Sequence, residues 1–183
     1  MSRPTATPGQ TVGPFFGFAL PFDRGNELVS PGSHDAIRLH GTVTDGAGAP
    51  VPDALLEIWQ TDNDGAVPTA TGSLLREDRA FTGWGRAETD AHGHYHFTTV
   101  KPGALQQSTP FIAVTVFARG LLNRLFTRAY LPGDQLHADR LLSSLPDDRR
   151  HTLIAVTDEH GFRFDIRLQG PDETVFLQYR GQP

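Results

Sequence analysis

Two histidines stand two residues apart in the stretch Gly93-His94-Tyr95-His96-Phe97. In a β-strand, residues i and i+2 project from the same face, so both imidazoles could close on one metal ion. Two ligands do not make a site, since most protein metals take three or four protein donors. The same pattern arises on a solvent-facing strand whose buried face is Tyr95 and Phe97, and H-x-H is short enough to occur often by chance. Glu57, between Leu56 and Ile58, is a second chemistry-bearing residue, although an acid on the polar face of a strand is more often structural. One reading is therefore a metal enzyme built on His94, His96 and a distant carboxylate. The plainer one is a surface strand.

The elements that would position these residues are short. Among 183 residues are 19 glycines and 14 prolines, which favours many short strands over long helices. Hydrophobic residues are 38% and charged residues 20%, ordinary for a soluble domain. The absence of cysteine excludes disulfides, thiolate catalysis and sulfur-ligated metals. A formal charge of −5 argues against nucleic acid, whose phosphates call for a basic face. No apolar stretch of signal-peptide or membrane-span length is present, so a cytoplasmic protein is expected.

Residues 1–36 are rich in Pro, Gly, Ser and Thr yet carry Phe15, Phe16, Phe18 and Phe22. Exposed phenylalanines in such number favour aggregation, so this segment reads as an arm that packs on its own domain or on a partner. Residues 37–183 read as the domain itself. Alternation in IRLHGTV, ALLEIWQT, HYHFTTV and FIAVTVFARG marks strands, with Leu122–Tyr130 strand-like and TVFLQY closing a sheet. Leu39–Gly65 reads as one hairpin around a Gly-rich turn, and HTLIAVTDEHGFRFDIRL as another turning at DEHG. Residues 66–79 show no period. Residues Leu136–Leu145, followed by Pro146, are the one helix the pattern supports. Strands with turn signals about ten residues apart indicate a β-sandwich or barrel.

As motifs these segments say more. Gly41, Val43, Gly48 and Val51, then Leu56-Glu57-Ile58 with Gly65 beyond, closely resemble the signature of the intradiol ring-cleavage dioxygenases. AETDAHGHYHFTTVKPG resembles the segment that follows it in that family. TPGQTVGPFF and RFDIRLQGPDETVFLQY fit the branch built from two related chains. The resemblance runs from Thr7 to Tyr179 and implies a mainly β fold, an intradiol β-sandwich with an N-terminal arm and one short helix.

It also implies where iron would be. The family holds Fe(III) with two tyrosines and two histidines, and the matching positions here are Val67, Leu105, Phe111 and Ala113. None can ligate a metal, so the resemblance implies no metal on this chain, and His94 and His96 lie one strand too early. Fe(III) is then expected on a homologous iron-bearing β chain, with this chain as the non-iron α-type subunit of a hetero-oligomer. The implied reaction cleaves protocatechuate with O2 to 3-carboxy-cis,cis-muconate. By the same resemblance, Thr11, Gly13, Pro14, Phe15 and Arg119 help wall the partner's active site, with no catalytic residue on this chain alone. Many relatives have tyrosine where Phe15 stands. The rival is a stand-alone transthyretin-like β-sandwich binding module, which shares the VTDGAGAPVPDA turn logic but needs neither TVGPFF nor the C-terminal segment.

Overall fold

The computed structural model describes residues 11–13, 15–69, 81–106 and 108–179. The period-free loop expected over 66–79 therefore lies in part outside the described residues.

His94–Val100 forms β4, where His94 and His96 face solvent while Tyr95 and Phe97 are buried. β4 runs antiparallel to β1 (Ala36–Thr44), with Leu39 opposite Phe97 and His40 opposite His96. The other edge of β1 takes β8 (Gly161–Arg163) and β9 (Ile166–Arg167), both parallel to it, and β7 (Val156–Asp158) pairs with β8. Between β8 and β9 the Phe164 carbonyl turns inward over Gly41. A Cβ on Gly41 would stand 2.1 Å from that oxygen, so the position admits only glycine. The buried Tyr95 hydroxyl donates to the same carbonyl.

The second layer is antiparallel throughout, in the order β3 (Trp84–Glu88), β2 (Leu55–Trp59), β5 (Ile112–Phe117), β6 (Leu125–Ala129). Alternation again sets its faces: Leu56, Ile58, Ile112, Val114 and Val116 point inward, and Glu57, Ala113 and Thr115 outward. The inward set meets Leu39, Val43, Phe97, Phe164 and Ile166 of the first layer in one core. The result is the expected β-sandwich.

Three local expectations change. Leu39–Gly65 is not one hairpin, because β1 and β2 belong to different sheets. Pairing begins as a hairpin, with Val51 N donating to Val43 O at 2.9 Å. It ends at Pro52, which has no N–H to extend a ladder, and at Asp53, whose φ of 63° turns the chain toward the other layer. The single helix expected over 136–145 is a 3₁₀ turn (Asp134–Ala138) and a short α-helix, one of three α-helices among the described residues: α1 (Phe16–Ala19), α2 (Arg140–Ser144) and α3 (Asp147–Arg150). Asp139 makes the division, with extended backbone and a carboxylate that caps α2 through Leu142 N at 2.9 Å. The C-terminal TVFLQY segment makes a single bridge, Leu177 to Phe126, rather than a strand. No helix among the described residues is long and apolar enough to cross a membrane.

Candidate functional site

The arm is fastened to both layers, through β4 of the first and β3 of the second. Leu28 is buried in the core, and its N–H donates to Thr98 O at 2.8 Å. Gly25 O accepts from Arg86 N on β3 at 2.8 Å. Phe22 stacks on Trp84 with ring centroids 5.7 Å apart, and the Arg86 guanidinium lies over the same indole at 5.2 Å. Arg86 also donates to Leu20 O at 2.7 Å and to Glu57 Oε1 at 3.0 Å. Glu57 is thus the partner of an arm-binding arginine and no free acid. Of the four phenylalanines, Phe16 is buried and Phe22 stacked, while Phe15 and Phe18 are 77% and 87% exposed.

At the arm's beginning Gly13 has φ +74°, and its N–H donates to Thr11 Oγ1 at 3.3 Å. This left-handed turn needs glycine. Pro14 lies outside the described residues. Arg119 sits in the turn after β5, just before Gly120. Its Nη2 is 3.0 Å from Oδ2 of Asp53. Gly17 of the arm lies beside the same residue: a Cβ built on it would stand 3.7 Å from the Asp53 Cβ. Arm and arginine, separated by about a hundred residues of sequence, meet at Asp53, which no motif singles out.

The four positions that the resemblance matches to metal ligands lie in two loops and on or just before β5. The loops holding two of them interlock, since a Cβ on Gly65 would stand 2.0 Å from Ala104 O. Val67 and Leu105 on those loops are exposed. On β5, Ala113 points outward and lies directly opposite Arg128 of β6. The Arg128 guanidinium stacks on Phe111, its Cζ 3.9 Å from the ring centroid. Its Nη1 donates to the Tyr130 hydroxyl at 3.2 Å, which donates onward to Asp139 Oδ1 at 3.2 Å. Burial pushes the Tyr130 phenol up to about 12. Four hydrocarbon side chains with a fixed guanidinium over one of them do not fit a ferric ion, which takes anionic oxygen and imidazole donors. Tyr130→Phe breaks the link between Arg128 and the α2 cap and is expected to cost about 1–2 kcal/mol in denaturant unfolding.

His94 and His96 belong elsewhere, on the outer face of the first layer. Asn26 donates its side-chain amide to His96 Nε2 at 2.9 Å, and His94 lies 3.6 Å from Asp90. Among the described residues no group of three or more His, Asp or Glu side chains is arranged to hold a metal. Burial, then the nearby Arg38 charge, holds the His96 imidazole below its ordinary 6.5, against the opposing pull of Glu27. The unfolded chain therefore takes up this proton first. Stability contributed here is present above 6.5 and falls as the pH drops below it. His96→Gln is expected to flatten that part of the melting-temperature profile between pH 7 and 5.

A two-layer β-sandwich with a fastened arm, closed by interlocking loops at Gly65 and Ala104, defines the class: the chain belongs to the intradiol ring-cleavage dioxygenase family, and the family described as dioxygenase matches residues 12–170. Within it, the chain is similar to the protocatechuate 3,4-dioxygenase α chain of Burkholderia cepacia, at 39% identity over 93% of this chain and 96% of that one. The β chain from the same organism is 35% identical over 76% of this chain and 67% of its own length. Among solved structures, the dioxygenase domain of a dioxygenase–carbohydrate-binding fusion from Streptomyces sp. SirexAA-E superposes with a TM-score of 0.61 at 27% identity, covering 91% of this chain and 99% of that domain. The likeness to the α chain covers nearly the whole of this chain and does not favour a stand-alone transthyretin-like module.

Proposed function

We propose that this chain is the non-iron α-type subunit of a heteromeric protocatechuate 3,4-dioxygenase, completing an active site on a related iron-bearing chain. The observation that carries this reading is full-length similarity to an α chain, joined to ligand positions that hold no donor atom. Intradiol dioxygenases use Fe(III) as a family, and Val67, Leu105, Phe111 and Ala113 leave it to the partner. The assembly converts protocatechuate and O2 to 3-carboxy-cis,cis-muconate in the cytoplasm.

This chain's part is binding and shape. Residues 1–36 serve as the arm and 37–183 as the supporting domain. Thr11 and Gly13 form the tight turn that brings backbone close to a flat ring, and Pro14 stiffens it. Phe15 offers an apolar face. Arg119 supplies fixed positive charge for the substrate carboxylate. Co-expression with the related chain tests the reading: the two are expected to copurify and turn over protocatechuate, and this chain alone to be inactive. Ring cleavage by this chain alone would overturn it. Replacing His94 and His96 together by Ala is expected to leave the iron content and turnover of the assembly nearly unchanged, as read by metal analysis and steady-state kinetics.

A further inference from the structure

Arginine is a long side chain on several rotatable bonds, and Arg119 is more than half exposed in a turn. A guanidinium so placed recognises a carboxylate well only if something fixes it first. Asp53 has the geometry to do so. Its backbone is turned by φ 63°, and its neighbours are pinned by the buried Thr89, whose hydroxyl accepts from Ala54 N at 2.9 Å and donates to Val51 O at 2.8 Å. From this rigid turn the carboxylate reaches Arg119 Nη2 at 3.0 Å. That contact engages one nitrogen of a group with five N–H donors, leaving others for a second carboxylate. Gly17 of the arm packs over Asp53, so the same residue joins both elements that face the substrate.

We propose that Asp53 is the positioning residue for Arg119, holding its guanidinium where the carboxylate of an aromatic acid substrate meets it; this rests on the reading of Arg119 given above. A carboxylate beside an anion-binding arginine acts in two opposed ways. Its charge repels the anionic substrate, whereas its hydrogen bond holds the guanidinium in place. Positioning prevails here, and the sign of a substitution's effect reveals which action dominates.

The test uses the assembled two-chain enzyme, with protocatechuate and the uncarboxylated catechol as substrates. Asp53→Asn and Asp53→Ala are expected to lower kcat/KM for protocatechuate about three- to tenfold, chiefly through KM, with little change for catechol and none in iron content. In the double variant Asp53→Ala/Arg119→Ala the loss is expected to equal that of Arg119→Ala alone, because Asp53 acts through Arg119. The near-isosteric Asp53→Asn decides where Asp53→Ala fails to assemble. Unchanged or raised kcat/KM in the Asp53 variants, with Arg119→Ala impaired, would overturn the positioning role while leaving Arg119 as assigned. Losses that multiply in the double variant would overturn it equally. An Arg119→Ala enzyme as active as the parent would instead remove the reading of Arg119, and the positioning role with it.

Discussion

A chain that starts at Pro21 is expected to lose most of its capacity to assemble. The arm carries four phenylalanines with two different duties: Phe16 and Phe22 pack on this chain, while Phe15 and Phe18 present their rings to solvent. Burying one such ring in an interface is worth on the order of 2 kcal/mol. Two together, about 4 kcal/mol, weaken association about a thousandfold when lost. Because truncation also removes the Phe16 anchor, the double substitution Phe15→Ala/Phe18→Ala gives the cleaner comparison. It leaves the arm fastened by Phe16, Phe22 and Arg86 and removes only the exposed rings. Sedimentation of the co-expressed chains reads the result. A truncated chain that assembles and turns over normally would show that the arm is only a tail.

Replacing Arg119 by Ala is expected to lower kcat/KM for protocatechuate by about tenfold to a hundredfold in the assembled enzyme, with iron content intact. That range corresponds to about 1–3 kcal/mol of transition-state stabilisation, the value of a partly desolvated charged contact. Specificity should change with it. Catechol lacks the carboxylate, so its turnover is expected to fall much less, and the preference for the acid over the neutral ring to shrink by nearly the same factor. Equal small losses on both substrates would make the Arg119–Asp53 pair a surface ion pair of the usual slight worth. The shared site would then rest on the arm alone.

The layers of this fold were legible because β-strand alternation is local. Tyr95 and Phe97 are buried and His94 and His96 exposed as the pattern requires, and β5 shows the same alternation from Ile112 to Val116. Sheet membership was not legible. Leu39–Gly65 contains everything a hairpin needs, and only the conformation at Pro52-Asp53 sends the second strand into the other layer. The helix was misread for a related reason: Asp139 fits a helical pattern by spacing but acts as a cap. For the candidate site, the arm is legible in its phenylalanines and Arg119 in motif resemblance, and the histidine pair, the most conspicuous chemistry in the sequence, lies on the exposed face of β4. Asp53 and Arg128 carried no signal, because each gains meaning only from a partner distant in the chain: Arg119 for the one, Phe111 and Tyr130 for the other.

In the proposed function the iron lies on a related chain and this chain completes the site around it. Metal analysis with visible spectroscopy, on this chain purified alone and again in complex with its related chain, tests that most directly. The chain alone is expected to show no stoichiometric iron and no tyrosinate-to-iron absorption, since Val67, Leu105, Phe111 and Ala113 offer no donor, and the active complex to show both signals. One tightly held ferric ion per isolated chain would contradict it.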